Sequence, residues 1–142
     1  MLVPCISFVA VAEDAYYDVR KMQEVKIPAA LVKGHTKTLI LAILKEGPSH
    51  GYAITHEIKR RTEGKVAFRI GTLYPILHEL EADEMVVGAW VTVSDERPKK
   101  VYEITSKGLE ELERGLAAWK QMSVAMFQVT GERAHDVKTG AS

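Results

Sequence analysis

Leu73, Ile76, Leu77 and Leu80 fall at i, i+3, i+4 and i+7 within GTLYPILHELEADEMV, residues 71–86, and a single apolar stripe of this kind demands a helix buried on one side. Directly behind it, MVVGAWVTV and KKVYEIT are rich in β-branched and aromatic residues, and SDERP between them carries turn formers. These read as a β-hairpin with a charged tip. In front of the stripe, HTKTLILAILKEG predicts a helix ending near Gly47-Pro48, and the all-round apolar run Leu39 to Leu44 makes it the central buried one. Ser49 offers an N-cap for a second helix through about Arg61, with Ile54 and Ile58 one turn apart on its buried side and Gly64 punctuating its end.

After Thr105 the run SKGLEELERGLAAWKQMSVAMFQV predicts a long helix with Ser106 as cap. Leu109, Leu112, Leu116, Trp119, Ser123 and Met126 repeat at alternating spacings of three and four, the rhythm of a helix pairing seam. A chain of 142 residues has little core left for that stripe, so Leu109, Leu112, Leu116, Trp119 and Met126 are expected to face a second copy. The division that follows is an N-terminal arm at 1–30, a helical unit with hairpin at 31–105, a dimerisation helix at 106–130 and a polar tail at 131–142. The start MLVPCISFVAVA is apolar but lacks a positive preceding region; it is open to reading as a weak secretory signal or as residues upstream of a true start at Met22. A cytoplasmic protein is expected, with no membrane partner.

Three helices followed by a two-stranded hairpin make a winged helix-turn-helix, so the fold class is mainly α with a small β-hairpin and a long C-terminal helix. Its chemistry is modest: short polar groups facing base edges, with cations reaching phosphates on either side. Nineteen basic and nineteen acidic residues cancel, so a polyanion partner must be argued from local clusters. Lys59, Arg60, Arg61, Lys65 and Arg69 form one basic run, read either as solvated surface or as an electrostatic footprint. Arg97, Lys99 and Lys100 load the wing, where phosphate contact is expected. Pro75 is expected in the first turn, after Gly71-Thr72, where its missing N–H costs least. Thr72, Tyr74, Pro75 and His78 then stay on the outer N-terminal half that reaches the groove.

GPSHGYAI, then GTLYPILHELE, then a hairpin ending in KKVYEIT and SKGLEEL, resemble the PadR family of bacterial transcriptional regulators over residues 33 to about 127. The resemblance implies a winged helix-turn-helix, a C-terminal dimerisation helix, and repression of a nearby promoter relieved by a small molecule. It sets the family's HGY element on His50, Gly51 and Tyr52 and its TLYP element on Thr72 to Pro75, both close to DNA. Gly51 also fits tight helix packing, and Tyr52 a core edge with a satisfied hydroxyl. The candidate DNA-contact set is therefore His50, Gly51, Tyr52, Arg69, Thr72, Tyr74, Pro75, His78, Arg97, Lys99 and Lys100.

Two positions depart from the family pattern. Glu79 stands where a basic residue is common, and Glu84 where glycine suits a left-handed helix end, a replacement that costs about 1 kcal/mol. Related proteins hold flat apolar ligands with aromatics of the C-terminal helix, which makes Trp119, Met122, Met126 and Phe127 candidates for a small aromatic or apolar effector. The same stripe is more simply read as plain dimer core. A rival reading makes the acidic residues Glu79, Glu81, Asp83 and Glu84 a protein-docking face without specific DNA binding. Catalysis is not expected: His78 beside Glu79 or Glu81 has no nucleophile, metal spacing or phosphate loop, and no metal or cofactor is expected.

Overall fold

The computed structural model describes residues 27–132. In chain order it runs α1 (Ala29–Lys33), α2 (Thr36–Lys45), β1 (Ser49–His50), α3 (Gly51–Arg61), α4 (Ile70–Ala82), β2 (Val86–Val91), β3 (Lys99–Ile104) and α5 (Ser106–Thr130). The arm through residue 26, with Cys5 and the readings of its start, lies outside the described residues, as does the tail after 132. Ala29 and Ala30, assigned above to the arm, belong to α1.

The core forms where the helical stripes meet. Ile40, Leu41 and Leu44 of α2 pack with Ile54 and Ile58 of α3 and with Leu73, Leu77 and Leu80 of α4. Leu39 and Ile43 are half-buried, so α2 is central without being enclosed all round. Val86 and Tyr102 close the core from the hairpin side.

The hairpin is not alone. β1 pairs antiparallel with β3 through Ser49↔Tyr102 and His50↔Val101, giving a three-stranded sheet in the order β1-β3-β2. Two residues are too few to reveal a strand by alternation, which is why SH reads in the sequence as a helix start. The cap of α3 accordingly passes from Ser49 to His50, whose Nδ1 accepts from the Ala53 N–H at 3.2 Å. Likewise Thr105, not Ser106, caps α5, its hydroxyl accepting from the Gly108 N–H at 3.1 Å.

Pro75 is also shifted. α4 begins at Ile70 with extended Arg69 as its cap, so Pro75 stands in the second turn and inside the helix. A proline there withholds a donor from the carbonyl four residues back, that of Gly71. Gly71 is exposed, so solvent can satisfy that carbonyl.

The end of α4 carries out the turn that Glu84 puts under strain. Met85 N–H donates to Leu80 C=O at 2.9 Å and Glu84 N–H to Glu81 C=O at 3.0 Å, the paired bonds of a Schellman motif, with Glu84 at φ 62°. Glu84→Gly removes a Cβ from this left-handed residue and is expected to stabilise the fold by about 1 kcal/mol, read as a raised urea midpoint. An unchanged or lowered midpoint would contradict that account of the helix end.

α5 divides its stripe between two uses. Gly108 and Leu112 are buried against the winged unit, and Gly115 lies against Thr38 of α2. Leu112, assigned above to a partner subunit, is therefore a correction: it is 2% exposed and belongs to its own protomer's core. α5 seats its start on the Met85 turn and Ile104 at Gly108 and reaches α2 at Gly115, because glycines stand on either side of Leu112 in place of larger residues. Farther along, Leu116, Trp119, Met122 and Met126 are exposed in the single chain.

Candidate nucleic-acid interface

α3 and α4 meet at a glycine. A Cβ on Gly51 would lie 3.2 Å from Ile70 Cδ1, 3.4 Å from Tyr74 Cε1 and 3.5 Å from Leu77 Cδ1, so its close approach serves helix packing. The turn between the two helices is held by Thr62, whose hydroxyl donates to Ile58 C=O at 2.8 Å and accepts from the Val66 N–H at 3.1 Å. Glu63 and Gly64 both take positive φ there. The result is a helix-turn-helix whose second helix, α4, carries its apolar stripe inward.

What remains outward opens onto a hollow of about 470 Å³ between the start of α3, the outer face of α4 and the wing. It gathers His50, Tyr52, Tyr74, His78, Lys99 and Lys100, six of the eleven candidate contacts, from segments up to fifty residues apart. The His50 cap engages Nδ1, so Nε2 is the ring nitrogen outside that bond. Tyr52 is 68% exposed, which excludes the core-edge reading, and Tyr74 stacks obliquely near His78 with ring centroids 6.4 Å apart. Arg69 and Thr72 open instead onto a second hollow of about 610 Å³ beside Lys65, Phe68 and Ile76. Pro75 and Arg97 are exposed outside both.

Sequence reasoning missed three residues of the first hollow: Trp90, Pro98 and Tyr102. Trp90 reads in the sequence only as a strand former, yet it is 70% exposed and stands opposite Lys100 in the β2–β3 register. Its signal was the period of two: Val86, Gly88 and Trp90 share one face of β2, and Val86 is buried. Tyr102 forms the floor. It is fully buried, its hydroxyl has no hydrogen-bond partner among the described residues, and burial pushes its pKa up. Removing an unpaired buried hydroxyl should not cost stability, so Tyr102→Phe is expected to stabilise by about 1 kcal/mol in urea unfolding. A loss of that size would mean the hydroxyl is partnered.

Ion pairs sort the basic run. Arg60 and Arg61 both hold Glu57, at 2.6 and 2.7 Å, and Arg61 also pairs with Glu46. The two guanidiniums, Arg60 first, lower the Glu57 carboxyl to about 2. These two arginines are thus occupied on their own surface, whereas Lys59, Lys65 and Arg69 have no ion pair among the described residues. The acidic tail of α4 is occupied too. Glu79 pairs with Lys37 at 2.7 Å and Glu81 with Lys100 at 2.8 Å, which leaves Asp83 and Glu84 as its exposed carboxylates without a bridge among the described residues. The Lys100 ammonium lowers the Glu81 pKa, and Glu81 in turn raises that of Lys100.

A helix-turn-helix whose outer face opens toward a basic hairpin defines a winged-helix protein. Residues 40–114 match the family model described as the transcriptional regulator PadR-like family, and the chain belongs to that family. It is 33% identical over 93 residues to a transcriptional regulator of Mycobacterium tuberculosis, covering 64% of this chain and 78% of that one. A transcriptional regulator from Clostridium thermocellum shares the fold with a TM-score of 0.67 at 24% identity, over 72% of this chain and 96% of that one. Bacillus subtilis PadR, solved in complex with operator DNA, gives a TM-score of 0.53 at 27% identity over 57% of this chain and 46% of its own. Among the described residues no helix is long and apolar enough to cross a membrane.

Proposed function

We propose that the chain is a homodimeric repressor that binds double-stranded promoter DNA through α4 and the wing, and is released by a small aromatic or apolar effector. The observation that carries this reading is the hollow that joins His50, Tyr52, Tyr74 and His78 to the wing lysines. Short polar and aromatic groups face outward on one helix, with cations beside them, the combination that base edges and phosphates require. The operator complex of Bacillus subtilis PadR supports it. Residues 31–105 form the DNA-binding unit and 106–130 the dimerisation helix, with the protein working in the cytoplasm where promoter DNA is. The docking-face alternative loses ground because Glu79 and Glu81 already pair within the chain.

The dimer is supported by the exposed half of α5. Leu109, Leu116, Trp119 and Met126 stand open to solvent, Trp119 at 52% exposure, on a helix whose first turns are already packed. Apolar residues so arranged are stabilised by burial against a second copy of the same stripe. Two-fold symmetry must then set the two reading helices one DNA turn apart, ~34 Å, to reach successive major grooves. Trp119, Met122 and Met126 would hold the effector at that seam. A ligand there releases DNA only if it binds the two dimer states unequally.

Sedimentation of wild type and of Leu116→Glu with Trp119→Glu, alongside transcription from the promoter upstream of the chain's own gene, tests this. The wild type should sediment as a dimer and reduce transcript. The double variant should sediment as a monomer and lose repression. A wild-type monomer, or transcript that the bound protein leaves unchanged or raises, would refute the homodimeric repressor.

A further inference from the structure

We infer that Glu81 sets the wing against the reading helix, and that Lys100 is its fastening and not a phosphate contact. The inference rests on the DNA-binding reading above. Glu81 stands in the last turn of α4, and its carboxylate takes a donor from each wing strand. Oε2 accepts from the Gly88 N–H of β2 at 3.0 Å, and Oε1 accepts from Lys100 Nζ of β3 at 2.8 Å. One side chain of the reading helix thereby holds both strands.

Gly88 is what makes the clip possible. A Cβ there would come within 2.4 Å of Lys100 Cε and 2.5 Å of Glu81 Oε2, so any other residue displaces one partner. The clip is also sheltered: Lys100 and Glu81 side chains are 21% and 32% exposed, and Nζ lies 5.4 Å from the centre of the Tyr102 ring. By contrast Lys99 meets Glu96 only at 3.8 Å, with both side chains more than half exposed, and is available to phosphate. A carboxylate beneath a DNA-facing wing repels phosphate, and holding the wing in position is a reason for it to be there. Lys100 spends its charge on that carboxylate, which leaves Arg97 and Lys99 as the wing's phosphate contacts.

The test measures anisotropy of a labelled duplex carrying the sequence upstream of the chain's own gene, from about 50 to about 300 mM salt, where each phosphate contact steepens the dependence. Lys99→Met should lower the slope of log K on log salt by about one per protomer. Lys100→Met and Glu81→Gln should each weaken binding about three- to tenfold with the slope unchanged, and together no more than either alone, because they break one contact. A slope drop in Lys100→Met like that of Lys99→Met, additive losses, or tighter binding by Glu81→Gln would overturn the inference. A second arm needs no DNA. In fluorine NMR of fluorotryptophan-labelled protein, Glu81→Gln should shift or broaden the Trp90 resonance, since Trp90 faces Lys100 in the ladder. An unmoved Trp90 signal would also overturn it. Should the wild type not bind the duplex, the DNA-binding reading fails while the Trp90 signal still decides whether Glu81 holds the wing.

Discussion

Reversing Arg97 and Lys99 to glutamate should weaken promoter binding by on the order of 100-fold at low salt while leaving the fold intact. Both side chains lie in the exposed wing, and among the described residues the one ion pair of either is that of Lys99 with Glu96 at 3.8 Å, so little folded-state structure depends on them. In a dimer the change removes four cations and adds four carboxylates beside phosphates, so repulsion adds to lost counterion release. The salt dependence should flatten in parallel. Binding within a few-fold of wild type, checked by anisotropy, would mean that the wing does not touch DNA. The urea midpoint should stay within the range of ordinary surface substitutions, about 0.5 kcal/mol.

The second large effect concerns the junction between the reading helix and α5. Thr105 joins them: its hydroxyl donates to Glu84 C=O at 2.7 Å while accepting from the Gly108 N–H, and its own N–H donates to Met85 C=O at 3.0 Å. Gly108 sits so close that an added Cβ would fall 2.1 Å from the Met85 carbonyl oxygen and 2.7 Å from Ile104 Cγ1. Gly108→Ala gains about 1 kcal/mol of helix propensity. Against that, an overpacked site costs about 1–3 kcal/mol, here at the upper end because backbone at this distance cannot yield as a flexible side chain would. The clash wins, and a net loss of about 2 kcal/mol is expected by urea unfolding, lowering Tm by roughly 8–16 °C for a unit of this size. Gly71→Ala is the control, since an added Cβ there meets nothing within 4 Å. Should both variants raise stability, α5 does not lie on the Met85 turn.

The helices were legible because their stripes are strong. Leu73, Leu77 and Leu80 recur at helical spacing in the sequence and are fully buried in the structure. The left-handed turn at Glu84 was legible through the family resemblance, whose pattern has glycine at that place, and the residue there takes φ 62°. Less was legible where the outcome depends on contacts across the chain. β1 is two residues long and exists only because β3 lies beside it. Leu112 carries the same pattern signal as Leu116, and what separates them is the approach of α5 to the Met85 turn at Gly108 and to α2 at Gly115. Periodicity reports that a face is apolar and not which surface covers it. The roles of Glu79 and Glu81 were hidden for the same reason: their partners, Lys37 and Lys100, are 42 residues upstream and 19 downstream. For the site, the HGY and TLYP residues could be named from sequence, whereas Trp90 and Tyr102 enter through strand register alone.

If the hollow between α4 and the wing binds promoter DNA, that binding is specific and salt-dependent. A gel shift with the DNA upstream of the chain's own gene, at about 50 and about 200 mM salt against unrelated competitor DNA, tests it most directly. Binding at this hollow gives a discrete complex at low salt that survives competitor and weakens by orders of magnitude at the higher salt. Absence of a specific complex at low salt, or a complex indifferent to salt, would contradict it.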